Sequence, residues 1–316
     1  MTTSSPVTPK LLLWALGAQL LLGGALLWQA ATDFSLFRDD DGGAPAPAMV
    51  AALPEPSADR FDARRAMRWA RRQVALGPRP AGSPAQRRAA AFLRPALPAG
   101  RFVPIPGTDP PLRNIVGELP GRGEPVLVVA HYDTTAVPGY LGANNSAAGV
   151  GAVIEIARSL RRDHDPERHR PVHFLLTDGE EPPTWPPERS FYDEGLRGSK
   201  FAAQTMEAGE VIVLDFVAQK GLSIPREENS DPALWARLRA AAERVGAQRA
   251  FPDETRAAVL DDHVPFTEQG IPAIDLIDFD YPCWQKPCDT MDKLSRRSLD
   301  ASGETVVELV RELRAP

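Results

Sequence analysis

Four short polar clusters hold most of the side chains that could do chemistry, and each follows a continuous apolar run. His131, Tyr132 and Asp133 follow Pro125–Ala130, and Asp178, Glu180 and Glu181 follow Val172–Leu176. Asp215 ends the run Val211–Leu214, while Tyr281, Trp284 and Gln285 come shortly after Ala273–Ile277. An imidazole among carboxylates suits general acid–base work or the binding of a metal ion. Histidine limits both options, because the 316 residues contain only five: His131, His164, His169, His173 and His263. Any metal or proton-transfer site must draw on those five or on carboxylates. His164 and His169 stand in the charged stretch Arg161–Arg170 and read as solvated. His173 alternates within a strand and reads as partly buried, and His263 follows Asp262 as a candidate supporting partner.

The elements that must position these clusters are apolar strands alternating with helices. Arg60–Leu76 carries Phe61, Met67, Ala70 and Val74 near helical spacing and stops at Gly77-Pro78. Ser83-Pro84-Ala85-Gln86 is a capping box that opens a helix to about Leu93. Ser146–Leu160, Leu196–Thr205, a helix capped by Asp231-Pro232 and running to about Val245, and Leu299–Leu313 complete the helical set. Continuous apolar strands separated by helices predict an α/β fold, with a mostly parallel central sheet covered on both faces. In such a sheet ligands bind at the carboxyl edge, which is where the four clusters fall.

Composition narrows the partners. With 42 acidic and 36 basic residues the formal net charge is −6, which argues against a nucleic-acid-binding protein. Two cysteines exclude a disulfide-dense scaffold and a Cys-rich zinc module. Leu11–Trp28 is an uncharged run of 18 residues, preceded by Lys10 and followed by Asp33 and Asp39–Asp41. That charge order places the rest of the chain on the exported side of a membrane. Residues 1–30 read either as a signal anchor or as a cleaved signal peptide, 31–57 as a Pro/Ala/Gly-rich spacer, and 58–316 as one folded domain, expected to be monomeric. Cys283 and Cys288 flank Gln285 and are either a loop-closing disulfide or two independent thiols.

Motif detail extends these readings. The segments LGPRPAGS (Leu76–Ser83), AHYDT (Ala130–Thr134), GANNSAAGV (Gly142–Val150), DGEE (Asp178–Glu181), LDF (Leu214–Phe216), DDHVPF (Asp261–Phe266) and the stretch Asp280–Ser295 occur in the order found in the zinc aminopeptidase and glutaminyl cyclase family, which the chain resembles from about Ala58 onward. Trp185 after the paired glutamates, Ser190-Phe191-Tyr192 with Gly198-Ser199, and Trp284 before a ligand position are closest to the cyclase branch.

The resemblance implies a three-layer zinc-exopeptidase fold, Zn²⁺ as cofactor and peptide or protein N-termini as partners. It implies Glu180 as general acid/base, and His131 and Asp215 as ligands of one metal in two-zinc members. In single-zinc cyclases the ligand positions are those of Asn145, Glu181 and Gln285, with Asp215 and Asp261 in the hydrogen-bond network around the substrate. Trp185, Tyr281 and Trp284 would wall the substrate pocket. Asn145 stands where the family places an aspartate, and Gln285 where it places a histidine. Two of five ligand positions have therefore lost their donor, which predicts weak or absent zinc and lost or severely impaired catalysis. The alternatives are an active cyclase that tolerates the changes, an aminopeptidase working from His131 and Asp215, or an oxygen-preferring cation such as Ca²⁺ or Mg²⁺.

Overall fold

The computed structural model describes residues 53–315. The apolar run Leu11–Trp28 and most of the spacer lie outside the described residues, and no helix among the described residues is long and apolar enough to cross a membrane.

The chain opens with helix α1 (Ala63–Val74), where Asp62 accepts a hydrogen bond from the Arg65 amide at 2.9 Å. Helix α2 (Pro84–Leu93) follows, capped by Ser83, whose hydroxyl accepts from the Gln86 amide at 3.1 Å. Then come β1 (Arg101–Ile105), β2 (Leu112–Leu119), β3 (Val126–His131), α3 (Gly149–Arg161) and β4 (Val172–Thr177). The short α4 (Phe191–Glu194) leads to α5 (Arg197–Thr205), β5 (Glu210–Leu214), β6 (Arg226–Glu227), α6 (Pro232–Arg244) and β7 (Thr255–Arg256). The chain finishes with α7 (Val264–Thr267), β8 (Ala273–Leu276) and α8 (Arg296–Leu313).

The main sheet has the order β1-β2-β4-β3-β5-β8. Strands β4, β3, β5 and β8 run parallel, with Val128 opposite both Phe174 and Ile212. These are the four runs read as strands in the sequence. The other two strands, β1 and β2, join antiparallel at the β4 edge. Their sequences explain why they carry no strand signal. Pro104 breaks β1, as an edge strand permits, and Arg113, Asn114, Gly117 and Glu118 interrupt the apolar residues of β2.

The sheet separates two cores by simple alternation along its strands. Val126, Val128 and Ala130 face a large core with α1, α3, α6 and α8, whereas Leu127 and Val129 face a smaller one containing Ala202 and Ala203 of α5 and Phe266 of α7. Each fully buried side chain of this kind stabilises the fold by about 1.5–3 kcal/mol. The result is helix, sheet and helix in three layers.

Several helix boundaries differ from the sequence reading, and α1 spans Ala63–Val74 rather than Arg60–Leu76. The segment Ala143–Ala148 is an irregular wide turn with Asn145 outside helical dihedrals, so regular helix begins at Gly149 rather than Ser146. At that point a Cβ on residue 149 would lie 2.2 Å from the Leu214 carbonyl oxygen, so only glycine lets the helix start against β5. Helix α8 starts three residues before Leu299, because the Ser295 hydroxyl caps it by accepting from the Ser298 amide.

Candidate functional site

Two loops at the carboxyl edge of the sheet are tied together before any site chemistry begins. Arg79 is fully buried, and its guanidinium donates to the backbone carbonyls of Gln73, Gly77, Leu141 and Gly142 at 3.0–3.3 Å. Burial without an adjacent carboxylate brings its pKa down to about 10, despite nearby acids that favour the charge. Gly142 follows at φ +58°, where a Cβ would lie 2.3 Å from the Asn145 carbonyl oxygen. The next anchor is Asp289. Its carboxylate accepts from the backbone amides of Asn144 and Asn145 at 2.9 and 3.1 Å, and from the hydroxyls of Tyr281 and Tyr140 at 2.8 and 3.2 Å. A disulfide between Cys283 and Cys288 closes the loop around Gln285, which adopts φ +51°.

One half of the site surrounds His131, at the end of β3. Its Nε2 lies 3.3 Å from Asp215, while Nδ1 lies 3.4 Å from Asp133 and 3.6 Å from Glu180. Burial opposes a charge on this ring. Glu180, Asp133 and Asp215 outweigh burial and hold the imidazole well above its ordinary pKa. Asp133 also accepts from the backbone amides of Glu180 and Glu181 at 3.3 and 3.2 Å, which orients both glutamates.

The other half centres on Glu181. The Gln285 amide nitrogen donates to both of its oxygens, at 2.9 and 3.0 Å, and the Asn145 amide nitrogen donates to one of them at 3.1 Å. The amide oxygens of Asn145 and Gln285 are buried with no hydrogen-bond partner. Burial raises Glu181 to about 7, against the pull of His131 and the Gln285 hydrogen bond. Burial likewise raises Glu180 well above the carboxylate range, opposed by His131 and reinforced by Glu181 and Asp261. Asp261 is raised by burial, Asp215 and Asp262. Among the described residues, no group of three or more His, Cys, Asp or Glu is arranged to hold a metal ion.

These groups form the floor of a cavity of ≈ 600 Å³. Asn145, Glu180, Glu181, Asp215, Asp261 and Gln285 line its polar end. Trp185 and Trp284 wall it in an edge-to-face pair with centroids 5.7 Å apart, and Phe279 tilts against Trp284 at 5.1 Å. Among the described residues Arg256 is the only cation on the wall, and it pairs with Asp280 at 3.1 Å.

The placement corrects parts of the sequence reading. Tyr281 does not line the cavity, because its hydroxyl is turned inward to Asp289 and the ring is buried. His131 lies behind Glu180 and Asp215 rather than on the wall. His263 lies with Nε2 3.3 Å from Glu227, which lines the cavity, and Nδ1 3.8 Å from Asp275. His164 and His169 pair with each other near Arg314, away from the cavity. Asp133 was named in the His131 cluster but given no role, and Asp289 and Arg79 were missed as site residues.

Comparisons with known proteins agree with the architecture. Residues 114–310, more than half of the chain, match the model of peptidase family M28. A mouse glutaminyl-peptide cyclotransferase-like protein is 30% identical over 214 residues, covering 56% of this chain and 54% of that protein. The chain thus spans about half the length of that curated relative. Among solved structures, the glutaminyl cyclase of Porphyromonas gingivalis superposes with a TM-score of 0.72 at 28% identity, covering 81% of this chain and 100% of that one. A Zn-dependent exopeptidase from Parabacteroides distasonis superposes with a TM-score of 0.70 at 25% identity, covering 82% and 99%.

Proposed function

The chain belongs to peptidase family M28, and from that premise we propose that it binds peptide or protein N-termini without turning them over. The observation that carries this reading is the state of Glu181. Both of its oxygens accept amide N–H groups from positions where the family resemblance places metal ligands. Asn145 and Gln285 bring neutral amides in place of an anion and an imidazole, and their nitrogens satisfy the carboxylate that a metal would otherwise need. This donor set does not fit zinc.

The cavity nevertheless suits an N-terminal residue. An acidic floor attracts an α-ammonium group, and the tryptophan wall accepts an apolar or aromatic side chain beside it. One observation favours the rival reading of a working cyclase. Glu180 lines the cavity and burial raises its carboxyl well above the carboxylate range, as suits a general acid. The charge order around Leu11–Trp28 adds the proposal that the domain acts on the exported side of a membrane.

The test pairs binding with turnover. Calorimetry is expected to show uptake of a short peptide with a free N-terminus and none of its N-acetylated form. The same protein is expected to contain less than stoichiometric zinc and to release no ammonia from a glutaminyl peptide. Stoichiometric zinc together with ammonia release from the unmodified protein would overturn the non-catalytic reading, and equal binding of the acetylated peptide would overturn the ligand class.

A further inference from the structure

Charge is distributed very unevenly along this acidic chain. Between Arg60 and Arg101 there are eleven arginines and a single acidic residue, Asp62. Arg64, Arg68 and Arg71 recur on one exposed face of α1, spaced so that each lies about one turn from the next. With Arg296 at the start of α8 they rim a surface depression floored by Met67. Among the described residues none of these four arginines is ion-paired, whereas Arg65 on the neighbouring stripe is paired with Asp62 and Glu155. On the same helix the Trp69 ring stacks on Phe92 of α2 at 6.3 Å, with the Arg72 guanidinium 4.0 Å from the Phe92 ring centroid. Unpaired guanidinium groups on an exposed helix face suit the anionic headgroup region of a bilayer.

The path of the chain favours a lipid surface over a soluble polyanion. Arg297, next to Arg296, pairs with Glu55 at 3.3 Å. The segment that leads back toward the apolar run Leu11–Trp28 therefore meets the folded domain at the edge of the basic depression. We propose that the face formed by Arg64, Arg68, Arg71 and Arg296 docks the domain onto an anionic lipid surface. Docking of this kind is electrostatic, adds with each arginine and weakens with salt. It involves neither the cavity nor the Glu181 half of the site.

Arginine-selective dicarbonyl labelling of the full chain, read by mass spectrometry, tests this directly. Vesicles of phosphatidylglycerol and phosphatidylcholine are expected to protect the four arginines several-fold, and vesicles of phosphatidylcholine alone are not. Protection should disappear in high salt, while Arg189, an exposed arginine beside α4, labels equally throughout. The variant Arg64→Gln/Arg68→Gln/Arg71→Gln should lower the preference for anionic over neutral vesicles roughly 100-fold, at about 1 kcal/mol per arginine, and leave peptide binding in the cavity unchanged. Equal labelling with both vesicle types overturns the proposal. So does protection by duplex DNA at phosphate concentrations where anionic vesicles give none.

Discussion

The two halves of the site solve the same problem in opposite ways. Both bury carboxylates at the carboxyl edge of the sheet, where desolvation penalises negative charge. Around His131 the penalty is met by the imidazole ring, which lies within 3.6 Å of Glu180, Asp133 and Asp215 and whose pKa these groups hold above its ordinary value. Around Glu181 it is met by neutral donors, because the amides of Asn145 and Gln285 supply hydrogen bonds and no charge. The difference shows that buried carboxylates at one sheet edge can be balanced by a neighbouring titratable ring or by neutral hydrogen-bond donors. The half around His131 keeps the side chains the family resemblance implies, and positions 145 and 285 of the other half carry amides where that resemblance implies an aspartate and a histidine.

The largest expected effect comes from putting charge back into the amide half. Asn145→Asp would bring a second carboxylate to within hydrogen-bonding distance of Glu181 and remove a donor. We expect it to lower stability by about 3–5 kcal/mol in the presence of a chelator, as an unpaired buried charge does, read from denaturant unfolding. Adding Gln285→His should make stability depend on added zinc. A double variant indifferent to zinc would show that these positions are not the ones the family uses.

A smaller effect should follow from opening the disulfide. Cys283→Ala/Cys288→Ala removes a short loop closure worth about 2 kcal/mol in the chain-entropy account. Because this loop carries Gln285, the NMR signals of the Gln285 side-chain amide should move while those of the His131 ring stay in place. Movement of both would mean that the halves are less separate than the contacts indicate.

A further expected effect is a pH slope. Glu181 at about 7 and Asp262 at about 6 both hold their protons more tightly folded than unfolded. Their contribution is fully present below the ordinary carboxylate values near 4 and is lost as pH rises toward 7. His131 has the same sign, its contribution being present below about 6.5 and lost as pH climbs through its raised folded value. Melting temperature should therefore fall between pH 5 and pH 8. Glu181→Gln should flatten the part of the slope below pH 7 and leave the part due to His131, as seen by calorimetry at matched ionic strength.

Much of this was legible in the sequence, for identifiable reasons. The four parallel strands were visible as unbroken apolar runs, and the polar residues ending them marked the edge where the cavity lies. The edge strands β1 and β2 were not, since Pro104 and the polar residues of β2 hide a pairing that only the neighbouring strand specifies. The substituted positions 145 and 285 could be read from their motifs. That their amides would converge on one carboxylate could not, because it depends on the wide turn at Ala143–Ala148 and the left-handed backbone at Gln285. Tyr281 was misplaced for a similar reason, as its partner Asp289 stands eight residues along the chain and gives no local signal.

Asp289 carries a consequence for how the amide half responds to change. One carboxylate holds the backbone of Asn144 and Asn145 and, through Tyr281, the start of the loop that delivers Gln285. The two amides are thus thermodynamically linked through a side chain that touches neither of them. Disturbing Asp289 displaces both together, and the energies of Asn145→Ala and Gln285→Ala should fail to add, with a coupling that shrinks once Asp289 is replaced by alanine to the part carried by Glu181, to which both amides donate.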